Sequence, residues 1–396
     1  MKKLLFFAAA VGLLAFAVSS QFLSYQYKGE RRFEVLNRPS KEMVVGICWP
    51  SSTNEDGMVQ GLQLALDEIN SRNMAGGYTI RLVIRDDAFD SEKSKHIAFE
   101  FASMNDMSAV IGYYDDAPAI KASAIFEASR LLHIFVGANS TAMTAYGFQY
   151  VARTILSNDK IGRSLAQMSI DRGYRKIAVI WEEDAYGADL AYQYRVGLDN
   201  LDAELVYLWS YPRERADFRL AVNELRGINA DVIFFAGLEP WAGDFLLAAH
   251  RVGLKTPIIT AASDTPEMRK RSGAGLEGAM FFDFNDVDSP SPENQAFVGK
   301  FRNRYGKIPD EWAAQGYDAL HILAMAAKFT GSRNPLDLSY AIRYMNTWEG
   351  ANGRYKFDST GDLEDKPIFL SQVQGGKYMM IRKSALQSKP VPRLSH

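Results

Sequence analysis

The fold is decided by residues 44–87, which read VVGICWPSSTNEDGMVQGLQLALDEINSRNMAGGYTIRLVIRDD. The short apolar run at 44–48 is typical of a buried parallel strand. Apolar residues then recur at helical spacing over 58–69, and residues 80–84 alternate as a second strand. The stretch therefore predicts a strand–helix–strand unit. Ligands bind such units at the carboxyl ends of the strands, so the polar loop at 51–56 is the first candidate for function.

Composition limits the class of protein. The chain has 396 residues, 47% of them hydrophobic and 23% charged, which indicates a globular protein with room for two ordinary domains. The formal net charge of −2 and the lack of a basic run argue against a nucleic-acid partner. Cys48 is the single cysteine, and the five histidines show no metal-ligand spacing. A glycine-rich phosphate motif is also absent, so we expect no metal and no cofactor.

The two ends of the chain differ from its middle. Residues 1–19 combine a basic start with an apolar run and the small residues Ala17 and Ser19, which is typical of a secretory signal peptide. The alternative is a retained N-terminal anchor, and either reading predicts an exported domain. Residues 20–42 are polar and basic and are interpreted as a linker, and residues 382–396 as a loose tail.

Strand and helix patterns alternate along the middle of the chain, and the rhythm restarts near residue 155. This predicts an α/β protein with two doubly wound parallel-sheet lobes. We expect the chain to cross between the lobes near residues 154, 284 and 333. Lobe 1 is thus predicted to hold residues 43–154 and 285–333, and lobe 2 residues 155–284 and 334–381.

The sequence gives no sign of catalysis. A GxSxG elbow is absent, and GAGLEG at 273–278 is not a GxGxxG motif after a strand. His133 opens a predicted buried strand, while His250 and His321 lie within predicted helices. We therefore expect a binding protein and not an enzyme.

An ordered set of motifs carries a family resemblance over roughly residues 43–380. The set consists of VGICWP, LALDEIN, RDDAFD, AVIG, ANSTAMT, EEDAYG, EPWAGDFLLAAHRVGL, GLEG, QGYDALHILAMA, GRYKFD and FLSQV. The chain resembles the type I periplasmic substrate-binding proteins of ABC transporters, of the leucine/isoleucine/valine-binding kind. The resemblance implies a periplasmic protein with two lobes joined by a three-segment hinge. It also implies capture of a small-molecule ligand in the interlobe cleft by hinge closure, and delivery to a membrane permease.

The resemblance also implies ligand residues. A ligand carboxylate needs backbone N–H groups and hydroxyls, and a ligand ammonium needs a carboxylate. Asn54 falls where the family covers the ligand, although it also fits an Asx turn. In Ala138-Asn139-Ser140, Ser140 falls where the family's threonine contacts the ligand carboxylate, and the alternative is a turn or cap serine. Tyr186 matches the tyrosine at the second lobe's mouth, or else only starts a helix.

Two positions depart from the family pattern. After AVIG the family has a serine, but this chain continues with Tyr113, Tyr114, Asp115 and Asp116. We favour Asp116 as a helix cap, while Tyr114 either faces the ligand or ends the sheet. Near the family's ammonium-binding glutamate this chain has Trp241. Two nearby acids could accept from a ligand ammonium in its place. They are Glu239, two residues before Trp241, and Asp264, which also fits a loop acid or cap.

These departures bear on the ligand. The family implies a small polar or amino-acid-like ligand. The aromatic side chains Tyr113, Tyr114, Tyr186 and Trp241, with the nearby acids, instead favour an aromatic or cationic ligand. The alternative function is a ligand-sensing domain for an aromatic or amine compound, without transport.

Overall fold

The structure is a computed structural model that describes residues 28–51, 57–263, 265–284, 289–364 and 366–381. The chain divides into two compact units. Unit 1 comprises Met1–Ala138, Ala142–Ile155 and Val287–Asp365, and unit 2 comprises Asn139–Thr141, Leu156–Asp286 and Lys366–His396. The predicted signal peptide and tail lie outside the described residues. Within the described part of the chain, every helix is too short or too polar to cross a bilayer.

The elements are numbered in chain order. Unit 1 begins with α1 (28–36), β1 (Glu42–Cys48), α2 (Gly57–Ser71), β2 (Thr79–Arg85), α3 (Ser91–Ser103), β3 (Met107–Gly112), α4 (Asp116–Ala128), β4 (Leu132–Phe135), α5 (Ala142–Ala145) and β5 (Val151–Arg153). Unit 2 follows with α6 (Asn158–Asp171), β6 (Lys176–Glu182), α7 (Ala185–Leu198), β7 (Glu204–Tyr211), α8 (Arg219–Leu225), β8 (Val232–Ala236), α9 (Trp241–Arg251), β9 (Ile258–Thr260), α10 (Pro266–Ser272) and β10 (Met280–Asp283). The chain then adds α11 (Pro292–Tyr305), α12 (Glu311–Thr330), α13 (Pro335–Arg343), β11 (Trp348–Gly350) and β12 (Gly353–Tyr355) to unit 1, and β13 (Phe369–Gln374) and β14 (Lys377–Ile381) to unit 2.

Unit 1 is built on a parallel sheet with the strand order β2-β1-β3-β4-β5. All six residues of β3, and six of the seven in β1, are buried, as expected for strands covered on both faces. Because β1 is followed in sequence by β2 on one side and has β3 on the other, the strand order reverses beside β1. This is the topological switch point, outside which ligands bind in open α/β sheets.

Unit 2 contains a seven-stranded sheet with the order β14-β13-β10-β9-β8-β6-β7. The strands from β7 to β10 pair in parallel, and β13 and β14 are antiparallel. The parallel part agrees with the prediction for a doubly wound lobe, but β10 and α10 were not predicted. Its switch point lies between β6 and β8, by the same reasoning as in unit 1.

The predicted linker at 20–42 is in part folded. Residues 28–36 form α1, and Arg32 within it is fully buried. The Arg32 guanidinium donates hydrogen bonds to the carbonyl oxygens of Ser129, Ala102 (2.9 Å) and Met104 (3.2 Å), which end α4 and α3. Burial lowers the Arg32 pKa to about 10. One cation thus satisfies the open carbonyls at the C-termini of two helices.

The last predicted lobe boundary differs from the structure. We predicted that lobe 2 resumes at residue 334, yet unit 1 continues to Asp365. The cause is α13, whose Ser339 hydroxyl donates to the Gln149 carbonyl at 2.5 Å and whose Arg343 donates to the Phe148 carbonyl at 2.7 Å. The β11–β12 hairpin is held in unit 1 as well, because the buried Asp318 carboxylate accepts from the Ala351 and Asn352 amides at 2.8 and 2.7 Å.

Candidate functional site

The carboxyl edge of unit 1 is the side of its sheet where the parallel strands end. There β3 ends on Gly112, whose φ of 143° and whose nearness to Cys48 exclude other residues, since an added Cβ would lie 2.1 Å from the Cys48 carbonyl oxygen. Tyr113 follows with a left-handed φ of 59°. This bend places Tyr113 and Tyr114 in different surroundings.

Tyr113 does not lie at the carboxyl edge, although the sequence groups it with the aromatic residues that favour an aromatic or cationic ligand. Its side chain is fully buried in the unit 1 core, with ring centroids 5.3 Å from His133 and 6.3 Å from Phe126. Its hydroxyl donates to the Ser94 carbonyl at 3.3 Å, and burial raises its pKa. The backbone turn at Gly112 directs this tyrosine inward.

Tyr114 instead is the centre of a group of four rings, which we call the aromatic cluster. Its ring centroid lies 5.4 Å from Trp49, 5.5 Å from Phe89 and 5.3 Å from Trp312, with steep interplanar angles of 76°, 85° and 62°. Trp49 and Trp312 are also in contact, at 5.3 Å. Trp49 directly follows β1, Phe89 lies in the β2–α3 loop, Tyr114 in the β3–α4 loop and Trp312 at the start of α12. Edge-to-face contacts of this kind stabilise aromatic pairs beyond their buried area.

Phe89 is the exposed member of the aromatic cluster, with 64% of its surface accessible. Ala88 and Phe89 both have left-handed φ values, 54° and 58°, which non-glycine residues rarely adopt. The loop is fixed by the two acids that follow β2: Asp86 accepts from the Ala88 amide at 2.8 Å, and Asp87 from the Ser94 hydroxyl at 2.8 Å. A large apolar ring is therefore held in solvent by a backbone that is costly to form.

Asp115 and Asp116 lie at the start of α4. The prediction of Asp116 as the cap is wrong by one residue, because Asp115 is the N-cap and Asp116 is the first, buried residue of the helix. The Asp115 side chain makes no capping hydrogen bond to the helix. The helix thus begins with two carboxylates, which occupy the positive end of its dipole.

The carboxyl edge of unit 2 has a different chemistry. Glu182 ends β6 as a buried carboxylate and pairs with Arg213, which also donates to Asp184 at 3.1 Å. Burial raises the Glu182 pKa, although the hydrogen bond from Arg213 acts in the opposite direction. Tyr211 ends the neighbouring β7, and its buried hydroxyl has no hydrogen-bond partner among the described residues. Gly237 follows β8, where an added Cβ would lie 2.2 Å from that hydroxyl.

Three of the predicted ligand residues lie at this edge of unit 2. Helix α9 begins at Trp241, and the Trp241 ring is packed against the unit 2 core. The Glu239 carboxylate accepts from the Thr265 hydroxyl at 2.6 Å. Tyr186 lies half-buried in the first turn of α7, which Asp184 caps by accepting from the Gly187 amide at 2.7 Å.

The segment 138–141 is largely buried. The Ala138 side chain belongs to the unit 1 core. The Asn139 side chain donates to the Leu156 carbonyl at 2.6 Å, and Ser140 is 5% exposed. The next residue, Thr141, is bound to α7, since its amide donates to Asp189 at 2.9 Å. Asn139 therefore has a clear structural role.

The structure thus brings some predicted residues together within each unit. Tyr114, Asp115 and Asp116 share one edge of unit 1, and Glu239, Trp241 and Tyr186 share one edge of unit 2. Asn54 and Asp264 lie outside the described residues. Among the described residues, no group of His, Cys, Asp and Glu side chains is arranged to hold a metal ion.

Sequence reasoning missed five residues of the two edges, namely Trp49, Phe89, Trp312, Glu182 and Arg213. Trp49 directly follows the predicted strand at 44–48, Phe89 lies in the loop after the predicted strand at 80–84, and Glu182 is the last residue of β6, so the carboxyl-end rule could have found them. Nothing in the sequence singled out Trp312, because it reaches the edge from a helix almost 200 residues after the Tyr114 loop.

Comparison with known proteins places this architecture. A family model described as "periplasmic binding protein" matches residues 50–377. The chain belongs to this family. It is 26% identical over 320 residues to Leu/Ile/Val-binding protein homolog 1 of Brucella suis, covering 80% of this chain and 85% of that protein. It is 27% identical over 329 residues to the leucine-specific-binding protein of Salmonella typhimurium, covering 82% and 88%.

A solved structure agrees. An ABC transporter substrate-binding protein of Desulfitobacterium hafniense, in complex with Leu, matches with a TM-score of 0.77 and 28% identity, covering 86% of this chain and all of that one. These findings confirm the resemblance and the α/β fold class that the sequence predicted. Because the relatives and the matching structure are binding proteins, they also confirm the expectation of a binding protein over an enzyme.

Proposed function

We propose that this chain is an extracytoplasmic solute-binding protein that captures a small polar or amino-acid-like ligand and delivers it to the permease of an ABC transporter. The aromatic cluster carries this proposal. It presents the exposed ring of Phe89, together with Tyr114, outside the switch point of a parallel sheet, which is where ligands bind in such folds. The relatives that share the family are binding proteins named for leucine, isoleucine and valine.

The ligand residues of the proposal are those at the two carboxyl edges. On unit 1 they are Tyr114, Asp115, Asp116 and Ala138, and on unit 2 they are Asn139, Ser140, Tyr186, Glu239 and Trp241, with Asn54 and Asp264 added from sequence. Asn139 and Glu239 already bond to Leu156 and Thr265. A ligand group must compete with these bonds. Tyr114 and Tyr186 are half-buried, so part of each side chain is accessible to a ligand.

The test of binding is calorimetric titration of the protein lacking residues 1–19 with a panel of amino acids, amides, amines and aromatic acids. A ligand that binds the folded state alone stabilises it by mass action, by about 2.7 kcal/mol at a hundred times its Kd. A true ligand should therefore also raise the melting temperature, and above its Kd the rise should follow the logarithm of the ligand concentration. If no compound of any class binds, the proposed function is wrong.

Transport needs a second measurement. Uptake of the identified ligand is measured in cells that lack this gene and in cells in which it is restored. We expect uptake to fall on deletion and to recover on restoration. If the purified protein binds the ligand tightly but uptake is the same with and without the gene, delivery to a permease is contradicted and the sensing alternative is favoured.

A further inference from the structure

The aromatic cluster offers a ligand more ring surface than an aliphatic side chain requires. Phe89 is 64% exposed, and Tyr114 and Trp312 are partly exposed. Their rings meet nearly edge to face, at 85° for Phe89 and Tyr114 and 62° for Tyr114 and Trp312, so flat faces and ring edges lie side by side. Such a surface suits a planar ring, which stacks on a face, and also a cation, which is drawn to the electron-rich face.

The charge next to these rings is negative. Asp115 and Asp116 directly follow Tyr114 in sequence, and Asp310 caps the helix that carries Trp312 by accepting from the Ala313 amide at 2.8 Å. Two lysines offset part of the remaining charge, since Lys93 lies 3.9 Å from Asp86 and Lys307 acts on Asp310. The start of α4 therefore carries two carboxylates, the half-buried Asp115 and the buried Asp116, where a bare helix N-terminus would attract an anion.

Ring surface and negative charge together point to one chemical class. We propose that unit 1 recognises an aromatic cation, with the ligand ring against Phe89 and Tyr114 and its protonated amine directed to Asp115. This inference rests on the proposed solute-binding function and names its substrate class. A ligand carboxylate at the same place would be repelled by Asp115 and Asp116, so an aromatic acid with the same ring should bind more weakly.

The first experiment compares ligands that differ in charge or in ring. Calorimetric titrations use 2-phenylethylamine, phenylacetate and leucine, at low and at physiological salt. We expect the amine to bind at least tenfold more tightly than phenylacetate, and the difference to narrow as salt screens the carboxylates. Tighter binding of phenylacetate or leucine than of the amine would overturn the inference.

The second experiment uses matched variants. Asp115→Asn should weaken amine binding about tenfold, since it removes the counter-charge. Asp106→Asn is its control, because Asp106 is a half-exposed acid just before β3, at the opposite edge of the same sheet. Phe89→Ala should weaken amine binding about five- to tenfold through the lost ring contact. Phe329→Ala, which removes an 86% exposed ring late in α12, should leave binding unchanged.

The outcomes separate this inference from the proposed function. If leucine binds and the amine does not, or if Asp115→Asn leaves amine affinity unchanged, the aromatic-cation class is wrong while solute binding stands. If no compound in the full panel binds, solute binding itself fails. Melting curves confirm that each variant is folded, which is expected because Phe89 and Phe329 are both exposed.

Discussion

At the carboxyl edge of unit 1, Tyr114 contacts three other rings, whereas at the carboxyl edge of unit 2 Glu182 pairs with Arg213 and Tyr211 is buried beside them. At both edges the parallel strands of a doubly wound sheet end, so the difference between them comes from the side chains and not from the topology. Unit 1 leaves part of its apolar surface exposed. In unit 2 the buried Glu182 carboxylate is paired with Arg213, and the Arg213 side chain is 55% exposed.

The exposed rings at the unit 1 edge and the buried polar groups at the unit 2 edge contribute differently to ligand binding and to stability. An exposed ring adds little to stability and much to ligand contact, while a buried carboxylate or hydroxyl must be satisfied within the protein. We therefore expect changes in the aromatic cluster to alter binding, and changes among the buried groups of either edge to alter stability. Four predictions test the second half of this contrast, from the largest effect to the smallest.

The largest effect is expected from Gly112→Ala at the unit 1 edge. The added Cβ would lie 2.1 Å from the Cys48 carbonyl oxygen, at a φ of 143° that suits glycine, so two strands must move apart. We expect a loss of about 3 kcal/mol or more in the free energy of unfolding. The control is Gly299→Ala on an exposed part of α11, where an added Cβ meets nothing within 4 Å. Chemical denaturation should show the control unchanged or more stable by about 0.5–1 kcal/mol.

The matching change in unit 2 is Gly237→Ala, and it should cost less. Here the added Cβ would meet the Tyr211 hydroxyl at 2.2 Å, a side-chain atom and not backbone. We expect a loss of about 2 kcal/mol in denaturant titrations. The double variant Gly237→Ala with Tyr211→Phe should recover at least half of that loss, because the clashing oxygen is gone. Equal losses in the single and the double variant would show that the clash involves other atoms.

A smaller effect separates two buried tyrosines of unit 2. The Tyr194 hydroxyl is hydrogen-bonded to Ser169 at 2.8 Å, whereas the Tyr211 hydroxyl has no partner among the described residues. Tyr194→Phe should therefore cost about 1 kcal/mol, while Tyr211→Phe should be neutral or stabilising by up to about 1 kcal/mol. Melting temperatures of the two variants at one pH test this, and a loss of stability in Tyr211→Phe would show that its hydroxyl is satisfied.

The smallest effect is a pH dependence at Glu182. Because burial raises the pKa of this carboxyl in the folded state, the unfolded chain ionises it at lower pH. Its contribution to stability is therefore fully present below the ordinary pKa and is lost as pH rises through the raised one. As pH rises from 4 to 7, the free energy of unfolding of Glu182→Gln should therefore increase relative to that of the wild type, by less than about 1 kcal/mol. Glu183→Gln, an exposed neighbour, is the matched control, and parallel curves for wild type and Glu182→Gln would refute the prediction.

Much of the fold could be predicted from sequence because its strands are continuous apolar runs. The apolar run at 44–48 predicted β1, and β3 and β8 are apolar runs of the same kind, since a strand buried on both faces has few polar residues. The short β10 and α10 were missed because too few residues repeat to show a period. The prediction assigned α13 to the wrong lobe, because helical periodicity identifies a helix but does not show which sheet it packs against.

The candidate site was less predictable for a related reason. Tyr113 and Tyr114 are adjacent and chemically alike, and only the backbone turn at Gly112 decides which is buried. The aromatic cluster assembles Trp49, Phe89, Tyr114 and Trp312 from distant parts of the chain, so no local pattern announces it. The sequence singled out the Tyr114 loop as a candidate part of the site, but not Trp49, Phe89 and Trp312, whose rings pack around Tyr114.

Helix α1 bears on where the protein can be shortened. The family match begins at residue 50, yet Arg32 closes the ends of α3 and α4 by donating to Ser129, Ala102 and Met104. A protein trimmed to begin at residue 42 would keep every described strand and lose this cation. Without this cation, the C-terminal ends of α3 and α4 would fray and become accessible to proteases. For expression and engineering, the domain boundary must lie ahead of residue 28, well before the point that family similarity suggests.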